Sequence, residues 1–291
     1  MGAFYSLACA LTWGLAVVLL KHTVDKVQPF ALNLFRVGIT FPLLVGTLLV
    51  AGYPLFPAVS REDYIRLTLS AILGIAVSDT LFHQSLKLVG AGIVAIIDTL
   101  YAPTVVFFAF VFLGERIHWN DYAGLALVSG ALLLSSTLEP PRNRTRIQLI
   151  EGLGVGLLAI VLLSLGIVIA KPALNRLPVL WAAAFRQGAA AAALGVWTLF
   201  SPRRREILSV WRPAAAWKVM VPATLLGSYL ALTLWIAGMK YTLASVAAIL
   251  GQSSTFWILV FSVVLLHERL SRRKVLAAAL AFAGVLLVTW K

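Results

Sequence analysis

Charge is scarce in this chain. Only 12% of its 291 residues are Asp, Glu, Lys or Arg, where a soluble domain carries about 25%. So few charges cannot cover the surface of a soluble protein of this length, and that class is excluded. Intrinsic disorder is excluded for the same reason, because disordered chains are polar and poor in apolar residues. Cysteine is scarcer still. Cys9 stands alone in an apolar run, which rules out an intramolecular disulfide and a cysteine metal cluster. The four histidines form no His-Glu-x-x-His, and no Gly-x-Ser-x-Gly occurs, so the usual signatures of zinc and serine hydrolases are missing. Only His83 lies deep within an apolar run, and an enzyme would need a nucleophile and base, or a metal set, at one depth. No catalytic residue, metal or cofactor is expected.

Acidic residues are few relative to basic ones, 11 against 24, for a net charge of +13. In so apolar a chain, clustered Lys and Arg mark cytoplasmic loops, and no basic stretch brings a folded domain with it. Nucleic acid is therefore not an expected partner. The first apolar run also lacks the basic n-region of a cleaved signal peptide.

What is abundant is hydrophobicity: 61% of residues and a mean hydropathy of +0.95. Apolar runs fall near residues 3–20, 30–51, 65–86, 91–113, 121–138, 152–170, 178–199, 217–238, 242–266 and 274–290. A membrane-spanning helix needs about 20 residues, so the expectation is an all-α membrane protein with ten transmembrane helices. Glu139 to Arg146 carries paired prolines and three arginines, which stop helices and suit a link between halves.

The halves match each other. A shift of 150 residues lays Lys21 on Lys171, Phe35-Arg36 on Phe185-Arg186 and Gly38 on Gly188. A shift of 153 lays Gly74 on Gly227, Lys87 on Lys240 and Glu115-Arg116 on Glu268-Arg269. The expected organisation is a first five-helix repeat over 1–138, a linker over 139–151 and a second repeat over 152–291. Five is odd, so each copy starts on the opposite side of the membrane. The two are expected to be inverted repeats around a central cavity, the arrangement of secondary transporters that bind substrate near the midplane. By the positive-inside rule, fifteen Lys and Arg on one set of connections against seven on the other put both termini outside the cytoplasm.

Short motifs add to this pattern: Trp13-Gly14 in the first span, Phe-Arg early in the second and seventh, Gly114-Glu115-Arg116 ending the fourth and His267-Glu268-Arg269 ending the ninth. Together they resemble the drug/metabolite transporter superfamily, and within it the EamA-type family, over about residues 2 to 290. The resemblance implies a multi-pass protein of the cell inner membrane that exports amino acids or other metabolites, with an aromatic amino acid exporter as the most similar kind of member.

Charged residues inside spans cost about 2.5–3.5 kcal/mol each on insertion scales and usually mark function or pairing. Asp79 and His83 are four residues apart and share a helical face, as do Asp98 and Tyr101 three apart. The hairpin through Lys87 to Ala91 brings the two carboxylates to similar depth. The cluster reads either as a substrate or proton site or as a hydrogen-bonded pair holding the hairpin. In the second half, Asp79 aligns with Leu232 and Asp98 with Gly251. That half offers Gln252, Ser253 and Ser254, polar groups that need a cavity or another helix. Pro103 is expected to bend the fourth span. Trp13, Tyr101, Tyr229, Trp235 and Trp257 lie within spans rather than at the headgroup level, consistent with a pocket wall or with packing. Arg36 and Arg186 are candidates for gating or for contact with an anion, and snorkelling is the other reading. The expected substrate-binding set is thus Trp13, Asp79, His83, Asp98, Tyr101, Tyr229, Trp235, Gln252, Ser253, Ser254 and Trp257. The expected partners are a small-molecule substrate, an amino acid or metabolite, and the lipid bilayer, with the chain monomeric. Efflux of lipophilic cations is the alternative function.

Overall fold

The structure, a computed structural model, describes residues 1–20, 27–135, 145–212, 216–266 and 272–290. The His267-Glu268-Arg269 motif, Lys21 and residues 139–144 of the 139–151 linker lie outside the described residues. All regular structure among the described residues is helical. In chain order the helices are α1 (Gly2–Leu20), α2 (Pro29–Val50), α3 (Arg61–Ala71), α4 (Ser78–Asp98), α5 (Tyr101–Leu113), α6 (Trp119–Ser135), α7 (Arg146–Arg176) and α8 (Val179–Phe200). A short α9 (Arg204–Leu208) follows, then α10 (Trp217–Thr224), α11 (Leu232–Tyr241), α12 (Ala244–Gly251), α13 (Ser254–Leu266) and α14 (Arg272–Thr289). π-Helical segments Ile72–Val77 and Leu225–Ala231 join α3 to α4 and α10 to α11.

Eight helical rods are long and apolar enough to cross a membrane: α1, α2, α3 through the first part of α4, the rest of α4 through α5, α7, α8, α10 through α11, and α12 through α13. The two remaining expected spans are shorter helices, the 17-residue α6 and α14, which is apolar from Val275. Large apolar side chains such as Phe107, Phe110, Phe112, Trp197, Leu199 and Phe200 stand exposed. A water-soluble surface does not carry apolar area on that scale, and the chain is a multi-pass membrane protein. Helix α7 starts inside the expected 139–151 linker, at Arg146, where Thr145 and Gln148 form a reciprocal capping box.

The breaks within the rods recur between the halves. The π segments begin at Ile72 and Leu225, 153 residues apart. The turn Thr99–Leu100 before α5 and the turn Gln252–Ser253 before α13 are separated by the same 153. Gly90, at φ 79° and ψ 168°, interrupts α4 where Thr242 and Leu243 separate α11 from α12. The fourth span thus breaks ahead of Pro103. That proline sits in the first turn of α5, where a missing N–H leaves no intrahelical bond unmade.

Packing recurs as well. Helix α7 lies against α3, α4 and α5, while α1 lies against α10 through α13. On one side Gly156 meets the Ser85 hydroxyl and Gly166 meets the backbone of Gly74; on the other Gly238 meets the Ser6 hydroxyl and Gly227 meets Ala16. A Cβ added at Gly156 or Gly238 would lie only 2.6 or 2.5 Å from the serine oxygen. Small residues let helix backbones approach in lipid, where hydrophobic driving force between helices is absent. Helices α6 and α14 pair in the same way through Gly124 and Gly284.

Candidate functional site

The rods enclose a cavity of about 220 Å³, far above the roughly 10–15 Å³ that one water needs on the same measure. Residues of α1, α2, α4, α5, α7, α8, α11 and the π segments line it, and it reaches both helix breaks through Asp98, Gly251 and Gln252. Its chemistry starts on α2. Pro29 opens that helix, and Asn33, Arg36 and Val37 follow at spacings that share a face. The Asn33 amide donates to the carbonyl of Ile75 at 2.8 Å and to Thr80 Oγ1 at 3.0 Å. Ile75 lies in the first π segment, where the i→i+4 ladder is interrupted.

Arg36 is buried and well partnered. Its Nε donates to Ser228 Oγ at 2.9 Å, its Nη1 lies 3.3 Å from His83 Nε2 and 3.8 Å from Asp79 Oδ2, and its guanidinium sits 5.8 Å from the Trp13 ring centroid. A guanidinium only donates, so His83 Nε2 accepts and the imidazole proton sits on Nδ1. Arg186 differs. It is 1% exposed and its Nε and Nη1 have no hydrogen-bond partner; Asp79, held by Arg36, acts on it electrostatically without a contact ion pair. Its guanidinium lies 5.2 Å from the Trp235 ring, whose Nε1 donates to the Tyr101 hydroxyl at 3.4 Å.

Asp98 ends α4. Its backbone carbonyl accepts from Gln252 Nε2 at 2.7 Å, which ties the two helix breaks together. Its carboxylate lines the cavity without an ion pair among the described residues. The carboxylates therefore do not merge into one cluster: Asp79 and His83 gather on Arg36, and Asp98 stands apart in the same cavity.

Of the residues singled out from the sequence, Trp13, Arg36, Asp79, His83, Asp98, Tyr101, Arg186, Trp235, Gln252 and Ser254 all line the cavity. Tyr229, Ser253 and Trp257 do not. The Tyr229 hydroxyl pairs with Thr47 Oγ1 at 2.6 Å, and Ser253 Oγ donates to the Leu250 carbonyl at 2.6 Å within the break. Trp257 packs its Cβ side on Gly14 and its ring near Phe261. Sequence reading passed over Asn33, Ser78, Gln187 and Ser228, which join the lining. Asn33 one turn before Arg36, and Gln187 beside Arg186, were the available signals.

The arrangement offers a cavity with one ion pair, a second guanidinium with two unpartnered nitrogens, a carboxylate without an ion pair among the described residues, and aromatic walls. That is binding chemistry. A solved crystal structure is similar to the chain at a TM-score of 0.80, covering 99% of this chain and 96% of that one at 20% identity, which carries the fold alone. Comparison with curated proteins gave no match. The EamA-like transporter family profile matches residues 1–137 and 150–290. The match spans nearly the whole chain and leaves out little more than the linker. Matched by that profile over both halves, this multi-pass protein with ion-pairing and aromatic groups lining a cavity belongs to the EamA-like transporter family.

Proposed function

We propose that the protein is a secondary transporter that exports amino acids, aromatic ones included, or similar small metabolites across the inner membrane by alternating access. Its units are the two five-helix repeats, 1–138 and 152–291, inverted about the cavity and joined by the 139–151 linker. The observation that carries this reading is the cavity's position at the recurring helix breaks, where both halves contribute polar groups. Reciprocal packing of α1 on α10–α13 and α7 on α3–α5 supports a two-fold relation, since such an axis exchanges those contacts. Trp13, Phe82, Tyr101 and Trp235 in the lining support an aromatic side chain as cargo.

The unpaired Asp98 and the same aromatics also suit a lipophilic cation, which keeps multidrug efflux as a second reading. Reconstitution into liposomes with a panel of amino acids and lipophilic cations separates the two. Saturable amino acid flux is expected. Trp235→Ala should reduce flux of aromatic amino acids more than that of alanine, by roughly 2–10-fold for a lost aromatic contact. Cation flux without amino acid flux contradicts the first reading.

A further inference from the structure

The repeat relation turns the cavity's charges into a substrate specification. Arg36 and Arg186 occupy matching positions in the two halves. Around Arg36 the first half supplies Asp79 and His83. The residues that match these two under the 153-residue shift are Leu232 and Ile236, and Leu232 lines the same cavity. Arg186 therefore sits where its mate's counter-charge has been replaced by hydrocarbon. Two of its nitrogens point to no acceptor although the residue is 1% exposed. A buried cation whose N–H groups have no acceptor is expensive to keep.

Asp98 presents the converse case. Its matching residue is Gly251, and its carboxylate has no cation against it among the described residues. Arg186 leans on Trp235, Trp235 bonds Tyr101, and Tyr101 follows Asp98 by three residues across the break. A guanidinium with two unpartnered nitrogens and a carboxylate without a cation thus stand along a single wall of neighbours, while Asp79, shared electrostatically between Arg36 and Arg186, makes its close contact with Arg36 alone.

We infer that this wall is a zwitterion site in which Arg186 receives a carboxylate and Asp98 receives an ammonium group. Guanidinium–carboxylate contacts are the strong, charge-assisted kind, and the apolar surroundings strengthen both. Gln252, whose amide nitrogen is engaged by the Asp98 carbonyl, positions the break rather than reading charge. This inference rests on the transporter reading for the role of the cavity and adds which groups the cargo must carry.

Three probes of one shape test it: L-phenylalanine, 3-phenylpropionate, which lacks the amine, and phenethylamine, which lacks the carboxylate. Their binding is measured by calorimetry on purified full-length protein in detergent, for wild type, Arg186→Gln and Asp98→Asn. Wild type is expected to bind phenylalanine best. Arg186→Gln should weaken phenylalanine and phenylpropionate by about tenfold or more, as for loss of a charged hydrogen bond, and leave phenethylamine unweakened. Asp98→Asn should weaken phenylalanine and phenethylamine and spare phenylpropionate. Equal losses for all three probes, or no loss, overturn the charge assignment. Thermal unfolding of each variant confirms that a folded protein is being titrated, and Arg186→Lys, which restores charge without the planar fork, should recover part of the carboxylate affinity. Phenylalanine flux in liposomes that persists unchanged in Arg186→Gln would leave the transporter reading intact while overturning this one. Charge-selective binding without flux would do the reverse.

Discussion

Arg36 and Arg186 have the same residue type, the same place in their repeats and nearly the same burial, yet opposite energetics follow from their neighbours. Replacing a buried guanidinium that has two unpartnered nitrogens and no contact ion pair with an apolar side chain of similar length removes a desolvation cost. Arg186→Met is therefore expected to stabilise the protein by about 1–3 kcal/mol. Arg36→Met removes the partner of Asp79, Ser228 and His83 at once. It is expected to destabilise by about 1–3 kcal/mol, toward the lower end because the Asp79 side chain keeps 31% exposure. Thermal unfolding in detergent followed by intrinsic fluorescence checks both, and a parallel fall in the two variants would contradict the asymmetry. The sequence already showed that the second half lacks Asp79 and Asp98 counterparts. What it could not show was the consequence, because alignment reveals an absent partner without revealing that the cation stays buried.

Whole elements explain the motifs. Gly114 closes α5 at φ 65° with its N–H on the Phe110 carbonyl, a left-handed cap that favours glycine. The chain then turns so that the next residue, Glu115, reaches α12. Its carboxylate accepts from the backbone N–H of Ala244 at 2.9 Å and of Ser245 at 3.0 Å, and from Ser245 Oγ at 2.8 Å. Lys171 meets the other side of the same break through the carbonyls of Met239 and Thr242. A carboxylate on a helix N-terminus and an ammonium on a helix C-terminus both suit the helix dipole. Glu115→Gln is expected to cost about 1–2 kcal/mol, and amide hydrogen exchange at Ala244 and Ser245 should accelerate. Unchanged exchange there would mean the cap is ornamental.

Most helix positions were legible at this scale because apolar runs and charges delimit them. The breaks at 99–100 and 252–253 were not. They fall in short polar stretches, Asp98-Thr99 and Gly251 to Thr255, which read as site lining rather than as helix ends, and the one proline nearby, Pro103, lies three residues past the first break rather than in it. The π segments were equally hidden, and they matter for facing. A side chain turns about 100° per residue in an α-helix, and a π-turn shifts that phase. Ser228 enters the cavity while its neighbour Tyr229 turns away to Thr47. Ser253 likewise drops out between Gln252 and Ser254 because its hydroxyl is spent on the break.

At the scale of the molecule, the halves exchange contacts: α1 with α10–α13 and α7 with α3–α5. The glycine contacts between them are close enough that bulk is not accommodated. Gly166→Leu would drive a side chain into the backbone of Gly74, 3.1 Å from an added Cβ. It is expected to abolish folded yield in detergent chromatography, whereas the same change at Gly154, which has open space around it, should be tolerated. The class of protein, a multi-pass helical membrane protein, was readable in the sequence from its long apolar runs and the charges at their ends. The cavity was readable only as a list of polar residues, since depth and facing depend on where the rods break.

The central claim is that one cavity, opening to each side in turn, carries the cargo. Counterflow tests it most directly: proteoliposomes loaded with unlabelled L-phenylalanine are diluted into labelled L-phenylalanine and entry is timed. Transient accumulation of label above its equilibrium level is expected, saturating with external substrate and collapsing in Arg186→Gln. Entry that never exceeds equilibrium, or that ignores internal substrate, would contradict it.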